Sequence, residues 1–252
     1  MQEVSAFILP LNKTMRILLI GYGKMGQTIE RLAVAKGHEI VGALTVHDAD
    51  KLASYTADQV DVAIEFTSPD AAVGNILTCF EKKIPVVVGT TGWLEHLGQV
   101  KGKCQELQGT LFYASNFSVG VNLFFHFNEY IANKMRQYPE YAVEVKEIHH
   151  VHKLDKPSGT ALTIADGILK NYPEKQGWIN DTSSEPDLLG IVSEREGEVV
   201  GTHIVKYTSE NDTFELHHVA HTREGFASGA LLAAEWLPGR QGIYGMTDLL
   251  QL

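Results

Sequence analysis

The densest chemistry in the sequence lies in one run, EIHHVHKLDKPSGTA, from Glu147 to Ala161. Three imidazoles, His149, His150 and His152, and the ammonium of Lys153 fall within five residues. Histidine gives or takes a proton near neutral pH, and lysine offers a compact positive charge or an acid. Ser158, Gly159 and Thr160 then open a helix, whose unpaired N–H groups and positive dipole end suit a carboxylate. Together these residues describe a site for an anionic substrate that has to be protonated.

A zinc site on the three histidines is the rival reading. No acidic or cysteine ligand with suitable spacing is evident beside them, so no metal is expected. Alternate positions on a strand point to opposite faces, which leaves one of the three without a role, and His152 is assigned that place. The later cluster His217, His218 and His221 reads as structural.

What must position this run is a strand over residues 142 to 150 and a helix after it, with Leu162, Ala165, Ile168 and Leu169 on one face. Around them the sequence predicts a helix over 121 to 135 and strands over 141 to 149, 198 to 207 and 213 to 221. The last two are joined by a turn at 210 to 212. This is an α+β substrate-binding and oligomerisation domain with a mixed sheet, placed at residues 118 to 225.

The first half has a different rhythm. Short β-branched runs at residues 16 to 20, 39 to 45, 61 to 66, 85 to 89 and 110 to 114 alternate with helical patterns, as in a parallel sheet covered on both faces. GYGKMG, Gly21 to Gly26, follows the first run and opens a helix ending near Ala35, with Ile29, Leu32 and Ala33 on one face. Gly21 permits the turn, Gly23 lets the backbone approach a pyrophosphate, and Gly26 permits close packing. The phosphate then sits on the helix N-terminus, beside Tyr22, Lys24 and Met25.

Two further strand ends, Gly89-Thr90-Thr91-Gly92 and Ala114-Ser115-Asn116-Phe117, face the nicotinamide end of such a cofactor. The fold class is therefore α/β: a Rossmann-like dinucleotide-binding domain over 15 to 117 and 226 to 252, plus the second domain. The cofactor is NADH or NADPH. With Asp48 near the end of the second strand and no arginine there, the pattern favours NADH.

Composition sets the outer limits. The chain has 252 residues, 44% hydrophobic and 21% charged, enough to bury a core without disulfides or metals. A net charge of -10 argues against binding to nucleic acid. Cys79 and Cys104 lack metal or redox spacing and fit a reducing compartment, the cytoplasm. No apolar run approaches the roughly 20 residues that span a bilayer. Residues 1 to 14 read as an N-terminal extension, with no secretory signal.

The run at 147 to 161 resembles that of the 4-hydroxy-tetrahydrodipicolinate reductase (dihydrodipicolinate reductase) family, whose pattern E-x-H-H-x-x-K-x-D-x-P-S-G-T-A it meets. EFTSP from Glu65, GTTGW from Gly89, ASNFSVGVN from Ala114, REGFASGALLAAEW from Arg223 and GIYGMTDLL from Gly242 resemble it too. The resemblance implies an NAD(P)H-dependent oxidoreductase of diaminopimelate and lysine biosynthesis that forms tetrahydrodipicolinate with loss of water. It implies His149 as proton donor, Lys153 as second donor and carboxylate partner, and His150, Gly159 and Thr160 as substrate contacts. It further implies cofactor contacts from Gly21 to Gly26, Gly89 to Thr91 and Ala114 to Phe117, a small dicarboxylate substrate and a homotetramer.

Lys24 stands where arginine is common in the family, and Lys156 where alanine is frequent. A non-enzymatic dinucleotide sensor of the same fold is the alternative; it would have no need of His149 and Lys153.

Overall fold

The computed structural model describes residues 14 to 252, so the expected N-terminal extension lies, but for its last position, outside the described residues. The chain divides into two compact units. One runs to Ser118 and resumes over Glu224–Leu252; the other is Val119–Arg223.

In the first unit, β1 (Arg16–Ile20), α1 (Lys24–Ala35), β2 (Glu39–Leu44), β3 (Val62–Glu65), α2 (Pro69–Glu81), β4 (Val86–Val88), α3 (Leu97–Glu106) and β5 (Thr110–Tyr113) alternate along the chain. The strands form one parallel sheet, ordered β11-β5-β4-β3-β1-β2, where β11 is Gly242–Tyr244. Every residue of β3 and β4 is buried, as expected for short apolar strands covered on both faces. β1 lies between β2 and β3. The chain adds strands first on one side of β1 and then on the other, so the loop after β1 sits at the switch point.

Helix α1 buries Ile29 and Ala33, while Leu32 is half-buried. Cys79 and Cys104 are free and buried, as packing residues.

The second unit contains α4 (Val119–Met135), β6 (Ala142–His149), α5 (Gly159–Leu169), β7 (Gly177–Ile179), β8 (Leu188–Arg195), β9 (Gly201–Thr208) and β10 (Thr213–Ala220). Its sheet runs β10-β9-β6-β8-β7. Strand β9 is antiparallel to both of its neighbours, β6 and β10, whereas β8 and β7 add in parallel to β6, giving a mixed sheet. The chain closes with α6 (Glu224–Trp236), β11 and α7 (Met246–Leu250), back in the first unit.

Three expectations need correction. The strand expected over 198 to 207 starts at Gly201, because Val199 N–H turns back to the Glu196 carbonyl. The inward face of α5 is carried by Ala161, Ile164, Ala165 and Ile168, with Leu162 and Leu169 only half-buried at its edges. And β8, LLGIVSER, has no counterpart in the reading from sequence. Its central Gly190 looks like a break, yet the glycine is needed: a Cβ there would lie 2.9 Å from the Asp181 carbonyl oxygen and 3.0 Å from Ser183 N.

Candidate active site

Strand β6 alternates, and its inward residues are Val143, Val145, Glu147 and His149. The first two belong to the apolar core under α4 and α5; the last two are polar and buried. One face of one strand thus passes from core to chemistry within eight residues. A charged residue there needs partners, because burial without them costs several kcal/mol.

The neighbouring strands supply them. Glu147 pairs in register with His203 on β9, and His149 with Arg195 on β8. Glu147 Oε1 accepts from the N–H of Ser158 at 3.0 Å and lies 3.5 Å from Arg195 Nη2. Its Oε2 lies 3.3 Å from His149 Nδ1, an electrostatic approach that falls short of a hydrogen bond, and 3.8 Å from His203 Nε2. Burial opposes the Glu147 charge, but the His149 and Ser158 contacts outweigh it and hold the carboxyl well below the usual range. It is an anion throughout the neutral range.

Ser158 is the N-cap of α5: its Oγ accepts from the Ala161 N–H at 3.1 Å and lies 3.3 Å from His203 Nε2. Gly159 and Thr160, the first residues of that helix, offer N–H groups with no partner inside it. Lys153 follows β6 in a turn closed by its own N–H to the His150 carbonyl. Its ammonium meets both Asp155 oxygens, at 2.8 and 2.7 Å, and holds that carboxyl below its ordinary range.

His149 is thus the buried histidine of the run. His150 is half-buried, with Nε2 3.4 Å from Arg223 Nη2. His152 is exposed and pairs with Glu198 at 3.0 Å. His217 and His221 are exposed, and the His218 ring packs on Phe124.

Two participants escaped the reading from sequence. His203 lies in the core-facing row of β9 with Val205 and Tyr207, so a polar residue in an otherwise apolar row is the signal that could have found it. Arg195 ends a strand that was not recognised. Glu147, His149 and His203 bring one ligand atom each within 4.8 Å of one another, so an acidic group does stand beside a histidine pair. Arg195 next to Glu147 opposes a divalent cation there.

Burial, reinforced by the nearby His149, pushes the His203 imidazole down to about 4. It is neutral near pH 7, whereas the unfolded chain takes a proton there near pH 6.5. Between those values the unfolded state binds more protons, so this contribution to stability is complete above about pH 6.5 and is lost as pH falls towards 4. By pH 5 the loss amounts to roughly 2 kcal/mol. Thermal midpoints measured from pH 7 to 5 should therefore drop more steeply for the parent protein than for His203→Asn; equal slopes would contradict the assignment.

In the first unit, the ends of β1, β3 and β4 line an open cavity of about 340 Å³ with Gly23, Lys24, Met25, Gly26, Phe66, Thr67, Gly89, Thr90 and Thr91. Gly21 has φ +95°, and a Cβ on it would lie 1.9 Å from the Phe66 carbonyl oxygen. By contrast, a Cβ on Gly23 would meet no protein atom within 4 Å, so nothing in the fold requires a glycine there. A bare backbone facing open space at the start of a helix suits a phosphate, and these residues fit a dinucleotide.

The loops are tied to each other. Thr67 N–H donates to Thr90 Oγ1 at 2.7 Å, and Trp93 Nε1 donates to the Thr90 carbonyl at 2.9 Å. Tyr22 directs its hydroxyl to Glu30 of α1. Ala114 and Ser115 stand at the end of β5, Asn116 Oδ1 accepts from the Ser118 N–H at 2.9 Å, and Phe117 is buried against Phe112 and Phe66. Only the backbone of Phe117 suits a ligand contact. Asp48 lies past the end of β2, where Lys51 and Thr45 already engage it at 2.6 and 2.9 Å.

Family models described as dihydrodipicolinate reductase, N-terminus, and dihydrodipicolinate reductase, C-terminus, match residues 15–117 and 120–250. A 4-hydroxy-tetrahydrodipicolinate reductase of Christiangramia forsetii is 45% identical over 238 residues, covering 94% of this chain and 98% of the relative. One of Archaeoglobus fulgidus is 34% identical, covering 94% of this chain and all of the relative. Among solved structures, a dipicolinate-bound dihydrodipicolinate reductase from Paenisporosarcina sp. TG-14 shares the fold, with a TM-score of 0.73 at 22% identity, over 94% of this chain and 99% of that one.

Proposed function

The chain belongs to the dihydrodipicolinate reductase family, and from that membership we propose how its own residues carry the reaction. It is an oxidoreductase that converts 4-hydroxy-tetrahydrodipicolinate to tetrahydrodipicolinate, a step of diaminopimelate and lysine biosynthesis. Substrate, one hydride and one proton give product and water, so the site delivers a proton in every turnover.

The observation that carries the residue assignment is His149 held at the end of β6 with Nδ1 against the buried Glu147. That contact directs the Nδ1–H to the carboxylate and leaves Nε2 to hold the proton that is given. Lys153 gives up its bond to Asp155 and takes a substrate carboxylate. His150 and the N–H groups of Gly159 and Thr160 hold the dicarboxylate in place.

A reduced pyridine nucleotide, when bound, supplies the hydride. Gly21 to Gly26 would cradle its pyrophosphate, and Gly89 to Thr91 and Ala114 to Phe117 would hold its nicotinamide end. The end of β2 carries no arginine for a 2′-phosphate, so NADH is the preferred nucleotide. The protein works in the cytoplasm as a homotetramer, an assembly that would cover the exposed Phe214 and Val219 of the edge strand β10. Light scattering reads that mass directly.

The test is loss of reduced nucleotide with freshly generated substrate, run with NADH and with NADPH. Turnover is expected with a higher kcat/KM for NADH; a higher value for NADPH overturns the preference. Lys153→Ala should raise KM about tenfold to a hundredfold, the worth of one charge-assisted hydrogen bond. An unchanged KM removes Lys153 from the substrate site.

A further inference from the structure

The loop that carries Lys153 is held from beneath by a side chain outside the 147–161 run. Arg195, at the end of β8, is nearly buried, and its guanidinium makes four contacts. Nε donates to the Lys153 carbonyl at 3.3 Å, and Nη2 to the Asp155 carbonyl at 2.5 Å. Nη1 donates to the Glu194 carbonyl at 2.6 Å, and Nη2 also faces Glu147 Oε1 at 3.5 Å. One planar group thus spans the loop on one side and the buried carboxylate on the other.

Glu147 completes the linkage. The same carboxylate meets His149, the N–H of the α5 cap Ser158, and Arg195. The lysine loop, the imidazole and the helix terminus are therefore joined through two side chains from adjacent strands, β6 and β8. We propose that Arg195, acting through Glu147 and the carbonyls of Lys153 and Asp155, is the positioning residue that fixes the proton donor and the carboxylate-binding lysine relative to each other. This rests on the assignment of His149 and Lys153 made above.

The chemistry requires a guanidinium rather than a positive charge alone. Its donors lie in one rigid plane, which lets a single group reach two loop carbonyls and a carboxylate. An ammonium is a point charge with a different fan of donors. A displacement of about 1 Å at a reacting group costs on the order of a hundredfold in rate.

In Arg195→Ala, kcat/KM should fall about a hundredfold while the nucleotide Kd, set in the first unit, stays at the parent value. Added methylguanidinium should restore a substantial part of the loss in this variant and leave the parent enzyme unchanged. Equimolar methylammonium should not. A merely structural arginine would show neither selectivity. Where Arg195→Ala fails to fold, Arg195→Lys carries the test, with kcat/KM expected to fall at least about tenfold at an unaltered nucleotide Kd.

A kcat/KM within threefold of the parent, or a loss that guanidinium and ammonium restore equally or not at all, overturns the proposal. His149→Gln and Lys153→Ala, assayed alongside, separate the two levels. If both are impaired and Arg195 variants are not, positioning by Arg195 fails alone. If neither is impaired, the assignment beneath it fails.

Discussion

His149→Gln should fold, bind nucleotide with the parent affinity, and turn over about a hundredfold to ten-thousandfold more slowly, the usual contribution of a general acid. Glutamine keeps the length of the side chain and an amide donor for Glu147, but it holds no proton that can be transferred near neutral pH. The loss should therefore appear in kcat more than in KM, because the substrate carboxylates are held by other groups. Steady-state rates, with nucleotide affinity from fluorescence titration, read the two effects apart. A variant within threefold of the parent kcat would remove His149 from the proton step.

The packing around the imidazole gives that expectation its size. On one side of the ring Nδ1 faces Glu147; on the other, a Cβ on Gly201 of β9 would stand 3.2 Å from Nε2. Gly201 keeps the room that a protonated edge needs. Glu147 is fully buried, and in the proposed mechanism the groups that pair its charge are also those that carry the chemistry, so the same contacts would stabilise the fold and orient the donor. Removing Glu147 would confound the two effects, which is why the histidine is the sharper test.

How much of this could be read from the sequence depended on distance along the chain. His149, Lys153, Ser158 and Gly159 are near neighbours, and a strand followed by a helix start is enough to bring them together. The turn from β1 into α1 at Gly21 to Gly26 was legible for the same reason. Arg195 and His203 reach the site only through cross-strand register, and register is set by packing along whole strands rather than by any local pattern. β8 was concealed further by Gly190, whose reason is a close approach by residues 181 to 183. Asp48 shows the opposite case: its type and approximate spacing suited a ribose, but Thr45 and Lys51 already satisfy it locally.

The glycines of the first unit yield the other large effect, and they separate folding from binding. In Gly21→Ala the new Cβ would lie 1.9 Å from the Phe66 carbonyl oxygen and 2.9 Å from Thr67 Cγ2, on a backbone at φ +95°. The left-handed conformation alone costs about 1–2 kcal/mol, and the clash must displace the loop after β3. That loop is tied through Thr67 N–H to Thr90, so the disturbance spreads to the end of β4. The thermal midpoint should fall by several degrees, since each 1 kcal/mol shifts a protein of this size by roughly 2–4 °C. Nucleotide affinity should fall with it. Gly23→Ala makes the complementary case, because its Cβ meets no protein atom. It should leave the midpoint unchanged and still weaken nucleotide binding about tenfold or more, by standing where the backbone approaches the pyrophosphate. Calorimetric titration with NADH beside a melting curve distinguishes the two. Unaltered nucleotide binding in Gly23→Ala would mean that the pyrophosphate lies elsewhere than on this loop.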